Sequence, residues 1–364
     1  MSLLKDIFGK KGESIKSYED FWKWFQRNEK VFSTAIRTRN RSDIEKDFFD
    51  KLSPKLNELK EGFFFLTGIY DENTVELVLT ADGVIKNLVF VEDMVNAAPE
   101  IPGWKFTAHK AASDIKTTSI RMAGHEFKKE NLNFCSNDSS NYPDEIDITV
   151  VHNDFNEENK SAIINGTYIF LDNYLGELEF VTTIDNMDIK SSSEVQTDLI
   201  PIEKLKDFLI WKQKEFLEKY DGVRRDTEND TYSMLEAELP SGNALLAIID
   251  TDLLDWDSKA SHPWILTVEI KYDGEKDNGM PDDATYKLLD EIENTILEEL
   301  KDFEGYLNIG RQTAESVREI YLACKDFRKP SRTLYRIQNE YSNKIEISYE
   351  IYKDKYWKSF DRFN

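Results

Sequence analysis

Cysteine is almost missing from this chain, with Cys135 and Cys324 the only two among 364 residues. Two thiols exclude a disulfide framework and leave no Cys-based zinc spacing, so a reducing, cytoplasmic setting is expected. Histidine is scarce as well. His109, His125, His152 and His262 show no metal-ligand spacing, and no metal site is expected. Asp273, Glu275 and Asp277 alternate like the start of a calcium loop. The pattern then fails, with Asn278 where the loop needs glycine and Ala284 where it needs a bidentate glutamate. The 15 glycines are scattered at turns and form neither a G-x-G-x-x-G loop, a Walker-type lysine loop nor a Gly-x-Ser-x-Gly elbow. Nucleotide and serine-hydrolase chemistry lose their usual support, and no cofactor is expected.

Long apolar runs are missing too. None approaches the roughly 18–20 residues of a membrane span. Met1 to Lys11 lacks an apolar core of about 7–15 residues, as a signal peptide needs. At most, Leu3, Leu4, Ile7 and Phe8 would touch a surface weakly. Basic residues are outnumbered 47 to 70, a formal charge of -23, so the mean field repels a phosphate backbone. Direct nucleic-acid binding is not expected, and Arg37, Arg39 and Arg41 read as a solvated helix junction.

What is present argues for folding. The chain is 40% hydrophobic and 12% aromatic, and is long enough for two ordinary domains. Helical spacing runs from Tyr18 to Thr38, with Ser17 as cap, and again from Ser42 to Lys60, where Pro54 is expected to kink or divide the helix. Residues 1–60 therefore read as an N-terminal helical hairpin. A first α+β domain is expected over 61–190, with strands at Phe63 to Tyr70, Thr74 to Thr80, Trp104 to His109, Glu145 to His152 and Leu178 to Ile184. Residues 191–230 read as a Ser-rich linker and a connecting helix. From 231 to 364 the order becomes strand, strand, then βαββαβ from Trp264 onward, with Asp282 capping a helix to Leu300. The expected class is α+β: tandem ferredoxin-like α/β sandwich units with antiparallel sheets behind the helical hairpin.

Several short signatures cluster late in the chain. They are His262-Pro263-Trp264, Asp277-Asn278-Gly279-Met280-Pro281, Gly310-Arg311-Gln312-Thr313 with Arg318-Glu319-Ile320-Tyr321, and a tail of Lys353-Asp354-Lys355-Tyr356-Trp357, Phe360 and Phe363. On these residues the C-terminal third resembles the bacterial domain of unknown function 695 family, and the acidic, Trp-containing tail is fainter in its likeness to the regulator of ribonuclease activity B family. The resemblance implies a cytoplasmic protein without an assigned activity.

Two clusters are candidate sites. Arg311, Thr313, Arg318 and Glu319 flank a hairpin, where the arginines could face each other and grip a carboxylate or phosphate; the plainer reading is a structural ion pair with a nearby acid. Asp354, Trp357 and Phe360 could anchor a partner, or simply close the core. No catalytic residue stands out. The first functional expectation is a non-enzymatic regulatory protein whose acidic faces meet a basic partner, such as a nuclease or a toxin-like effector. The alternative is an enzyme or small-molecule binder at the Arg311 cluster. Exposed sheet edges would also allow a homodimer.

Overall fold

The computed structural model describes residues 14–363, so the Leu3, Leu4, Ile7 and Phe8 cluster lies outside the described residues. Helix α1 (Tyr18–Arg37) begins where Ser17 Oγ accepts the Asp20 N–H at 3.1 Å. Its stripe of Phe21, Trp22, Phe25 and Phe32 is buried. After α2 (Arg41–Ile44) comes a π-turn at Glu45–Phe49, then α3 (Asp50–Leu59). The expected second helix is therefore interrupted, but upstream of Pro54, which α3 accommodates inside its span.

Strands β1 (Phe64–Ile69) and β2 (Val75–Thr80) form a hairpin whose turn is held by Asp71, its Oδ1 accepting the N–H groups of Asn73 and Thr74, each at 2.8 Å. Helix α4 (Ile85–Asn96) then crosses to β3 (Trp104–Ala108), which pairs parallel with β2. Trp22 and Phe25 pack edge-on to Phe106 and Trp104 at 4.6 and 4.8 Å, tying α1 to this sheet. These elements, with Gly176–Leu178, make one compact unit that takes in the described residues up to 112 and residues 176–178.

The second unit comprises residues 113–175 and the described residues from 179 onward. It opens with a small hairpin, β4 (Ile120–Met122) and β5 (His125–Phe127), followed by β6 (Leu132–Ser136), β7 (Asp147–His152) and α5 (Lys160–Leu175). Next come α6 (Glu177–Thr183), whose first two residues belong to the first unit, β8 (Asn186–Lys190), β9 (Ile200–Pro201) and α7 (Leu205–Lys219), with sheet order β8-β7-β6-β9. The strand expected at 178–184 is thus a helix. Its alternating Leu178, Phe180 and Thr182 mimic a strand, but Gly176, at φ +86°, ends α5 and lets the chain restart as a helix.

The strands expected to make one domain over 61–190 fall into different sheets in different units, and each sheet contains a parallel pair. A first ferredoxin-like copy is accordingly not confirmed. Nor do residues 191–230 act as a linker. β9 pairs with β6, and Ile202, Leu205 and Leu209 are buried in the same core as Phe134, Val150 and Phe170.

The C-terminal part follows its expected order closely: β10 (Tyr232–Glu238), β11 (Ala244–Asp250), α8 (Thr251–Leu254), β12 (Trp264–Lys271), α9 (Asp283–Glu299), β13 (Tyr306–Ala314), β14 (Val317–Cys324), α10 (Arg328–Tyr341) and β15 (Glu346–Lys353). Its six-stranded antiparallel sheet has the order β10-β11-β13-β14-β12-β15. The four strands of the βαββαβ segment therefore lie fourth, first, third, second, which is the ferredoxin-like arrangement. The hairpin β10–β11 extends it.

Strand β13 carries a bulge: Asn308 sits opposite Leu322 but Gly310 opposite Tyr321, leaving Ile309 as the extra residue. Gly310 adopts φ +137°, and a Cβ there would lie 2.2 Å from the Ile248 carbonyl oxygen. Gly310→Ala should therefore force the backbone apart and cost about 1–3 kcal/mol in urea denaturation. A wild-type midpoint in that variant would show that the bulge tolerates a side chain.

Candidate functional site

Side chains alternate across a strand, so register decides which of the predicted residues can meet. Thr313 lies directly opposite Arg318 and Leu246, while Arg311 lies opposite Ile320 and Ile248. Arg311, Thr313 and Arg318 therefore share the face covered by α9. Glu319 pairs across with Gln312 on the other face, where it accepts a hydrogen bond from the Gln312 amide. The expected quartet is thus a trio, with Glu319 excluded by strand parity.

The arginines do not pair with Glu319 or Glu315. Their partners come from α9, where Tyr286, Asp290 and Glu293 recur at helical spacing on one side. Arg311 Nη1 donates to Glu293 at 2.6 Å, and Arg318 Nη1 to Asp290 at 2.9 Å. Cross pairs at 3.6 and 3.7 Å close a four-membered charge cluster. Arg318, only 2% exposed, also donates Nε–H to Thr313 Oγ1 at 3.2 Å and stacks 5.1 Å from the Tyr286 ring centre. Burial alone would lower the Arg311 pKa, but Glu293 overrides it and holds it above the usual value. Two cations facing two carboxylates leave the cluster neutral, so it is not a ready-made anion clamp.

Beside this cluster is a cavity of about 290 Å³. Its apolar floor comes from Met234, Leu246 and Ile248, and its rim from Met280, Pro281 and Tyr286. The Asp277-to-Pro281 signature supplies that rim through backbone geometry. Asn278 and Gly279 take left-handed conformations, and the Gly279 carbonyl accepts the Ser316 N–H at 2.8 Å and the Tyr272 hydroxyl at 2.9 Å. The loop is thereby clasped against the β13–β14 turn, where Glu315 and Ser316 also have positive φ, as a two-residue hairpin turn requires.

Asp250 closes the neighbouring row of β11, opposite Tyr232. It is fully buried; its Oδ1 caps Leu253 at 2.9 Å, while Oδ2 has no partner among the described residues. Burial pushes its pKa up to about 6, with the Leu253 N–H opposing and Asp230 adding to the rise. Nothing in the local sequence announces this. An aspartate after an apolar strand reads as a helix cap, which it also is.

The second predicted cluster is interior. Trp357 and Phe360 are 1% and 2% exposed, and lie in one apolar cluster with Ile265, Leu307, Tyr321 and Ala323 on the sheet face away from α9. Trp357 Nε1 donates to the His262 carbonyl at 3.0 Å. Asp354 caps the tail turn, accepting from the Lys358 and Ser359 N–H groups at 3.0 and 2.9 Å. Burial rules out Trp357 and Phe360 as a partner anchor, and Asp354, which is half-buried, is spent on the turn by which the tail closes the core. Lys353 and Lys355 on either side of Asp354 both pair with Asp185 at 2.8 Å, fastening the tail to the segment before β8.

No group of three or more His, Cys, Asp or Glu side chains among the described residues could hold a metal ion, and no helix there is long and apolar enough to cross a membrane. No curated protein and no solved structure matches the chain, and the fainter likeness to the regulator of ribonuclease activity B family gains no support. Residues 241–363, which hold the arginine cluster, the clasped loop and the buried tail, match the model of a family of unknown function, DUF695.

Proposed function

We propose that the protein acts by recognition, and that its C-terminal sheet takes an extended, basic segment of a protein partner along β10. The observation that carries this reading is an edge strand lying next to an apolar cavity. Strand β10 ends the sheet order, and among the described residues no strand pairs with its outer side. The hydrogen bond from Leu239 N–H to the Asn243 carbonyl, and that from Thr251 N–H to the Thr231 carbonyl, set the ladder phase. In that phase the odd residues of β10 bond to β11, and the backbone groups of Tyr232, Met234 and Glu236 point outward. The side chains of these same residues lie on the cavity face. Met234 is 73% exposed, far more than a methionine facing a finished core.

A strand added there would place alternate side chains beside Met234, where an aliphatic or aromatic group reaches the cavity over Leu246 and Ile248. The volume suits one or two such groups, since it falls at the small end of the roughly 300–1,000 Å³ typical of ligand sites. Charge argues for a basic partner. Glu236 and Glu238 are exposed on the edge strand itself, in a chain of net charge -23. The neutral Arg311, Arg318, Asp290 and Glu293 cluster then serves to hold the cavity wall rigid.

The test is a synthetic peptide alternating lysine with leucine, its glutamate counterpart, and a proline-interrupted version, each followed by fluorescence anisotropy at low and moderate salt. The lysine peptide should bind best, and Met234→Pro should weaken it about tenfold or more, because proline removes an outward N–H while leaving the β10–β11 ladder intact. Equal binding of the acidic peptide would overturn the charge argument. Binding undiminished by Met234→Pro but lost in Leu246→Asp would leave the cavity alone as the site and favour the small-ligand reading.

A further inference from the structure

A second cleft lies in the same sheet domain, lined by residues that the β10 reading does not use. Its volume is about 460 Å³, and its chemistry is set by Arg224, His262, Tyr306, Lys325 and Lys329, with Asp302 and Glu304 on its wall. Two of the cations are unusual in so acidic a chain. Arg224 Nη1 donates to the Phe303 carbonyl and Lys325 Nζ to the Val223 carbonyl, both at 2.8 Å. Neither meets a carboxylate among the described residues. Lys329 is neutralised by Glu304, and Asp302 is occupied by the Thr227 N–H and hydroxyl at 3.2 and 3.1 Å. The wall therefore keeps two positive charges that only carbonyl oxygens contact, in a molecule with a surplus of 23 negative charges.

The histidine adds a directional requirement. His262 is 1% exposed, so its ring is fixed by packing. Ser261 donates its one hydroxyl hydrogen to the Ser258 carbonyl at 2.6 Å, so its oxygen can only accept at the 2.9 Å contact with His262 Nδ1. The proton of the neutral ring is then on Nδ1, and Nε2 offers a lone pair for which no described residue supplies a donor. Burial, with Lys325 close by, pulls the His262 pKa down to about 4, so this neutral form holds at ordinary pH. Tyr306, 7% exposed and under the Lys329 ammonium at 5.3 Å, forms the floor.

We propose that this cleft is a binding site for a small anion that carries a hydroxyl group next to its phosphate or carboxylate. The anionic oxygens meet Arg224 and Lys325, and the hydroxyl donates to His262 Nε2. A bare anion satisfies the cations but leaves the imidazole lone pair unmatched. A neutral polyol does the reverse. The ligand class follows from the need to satisfy both.

The experiment is isothermal titration of the full chain at low ionic strength with glycerol 3-phosphate, glycerate, inorganic sulfate and glycerol. The hydroxyl-bearing anions should bind about tenfold tighter than sulfate, and glycerol should not bind measurably. Glycerol 3-phosphate against glycerate tells which anionic group is preferred. Arg224→Gln and Lys325→Met alter exposed side chains without opening the core, and each should weaken binding about tenfold. Absence of heat with every anion would overturn the proposal. So would binding that both variants leave unchanged, or sulfate binding as tightly as glycerol 3-phosphate. Because Met234 and Leu246 lie elsewhere on the sheet, failure here and failure of the peptide test are separately readable.

Discussion

Trp357→Ala should cost about 3–5 kcal/mol, the range for removing a large aromatic side chain from a packed core. The indole is 1% exposed, stands 6.2 Å from Trp256, and spends its N–H on the His262 carbonyl. Truncation empties that volume and leaves a buried carbonyl short of a donor. The backbone of Trp357 sits at φ +55°, a conformation that a bulky residue adopts only when its surroundings impose it. Packing of the indole therefore also holds the turn that brings Phe360 onto Tyr321, whose ring centres are 5.2 Å apart. Urea denaturation should show an earlier midpoint, with reduced hydrogen-exchange protection in β14 and the tail. A stability loss below about 1 kcal/mol would mean that the residue is not a core element.

Glu177→Gln is expected to have the next largest effect, about 3 kcal/mol, through a carboxylate that the fold keeps charged in its interior. Glu177 is fully buried in the first unit. Its oxygens accept the N–H groups of Ala81 at 3.2 Å, Gly83 at 3.0 Å and Lys110 at 3.2 Å. Burial alone would raise its pKa, yet His109, Thr80 and the backbone donors outweigh burial and hold it down at about 2, from an ordinary 4.5. The sign follows from that depression. The contribution is complete above pH about 4.5, where the unfolded chain is also ionised, and it fades as pH falls toward 2. Wild type should therefore lose stability across this window relative to the glutamine variant, which has no such group to protonate. Parallel pH profiles for the two proteins would refute the assignment. Faster amide exchange at Ala81, Gly83 and Lys110 in the variant would localise the effect.

How far the sequence could be read depended on how locally each feature is specified. Ser17 and Asp282 cap helices through bonds to residues three positions on, so both helix starts were legible. The order of the C-terminal elements was legible for the same reason, because each strand and helix carries its own period. Glu177 was not. Its partners lie 96, 94 and 67 residues away, and its neighbours alternate in a way that imitates a strand. Asp290 and Glu293 were hidden differently: in a chain with 70 acidic residues, two more on a helix look like solvated surface until the arginines they face are known. Glu319 was assigned to the wrong side by counting proximity along the chain instead of parity across the sheet. Trp357 shows the opposite difficulty, because the same aromatic residue suits a partner anchor and a core plug, and only its burial separates them.

The bulge in β13 gives the arginine cluster a dependence that no contact distance reveals. Before Ile309 the strand presents Asn308 to the helices, and after it Arg311 and Thr313, so one inserted residue changes which half of the alternation looks toward α9. A strand of the same length without the bulge would set Gln312 opposite Arg318 and turn Arg311 to the face of Tyr321. The composition of this site is thus fixed by arithmetic along the strand: losing residue 309 together with its bulge keeps Arg311 and Thr313 on the helix face, whereas flattening the bulge at constant length hands that face to Gly310 and Gln312.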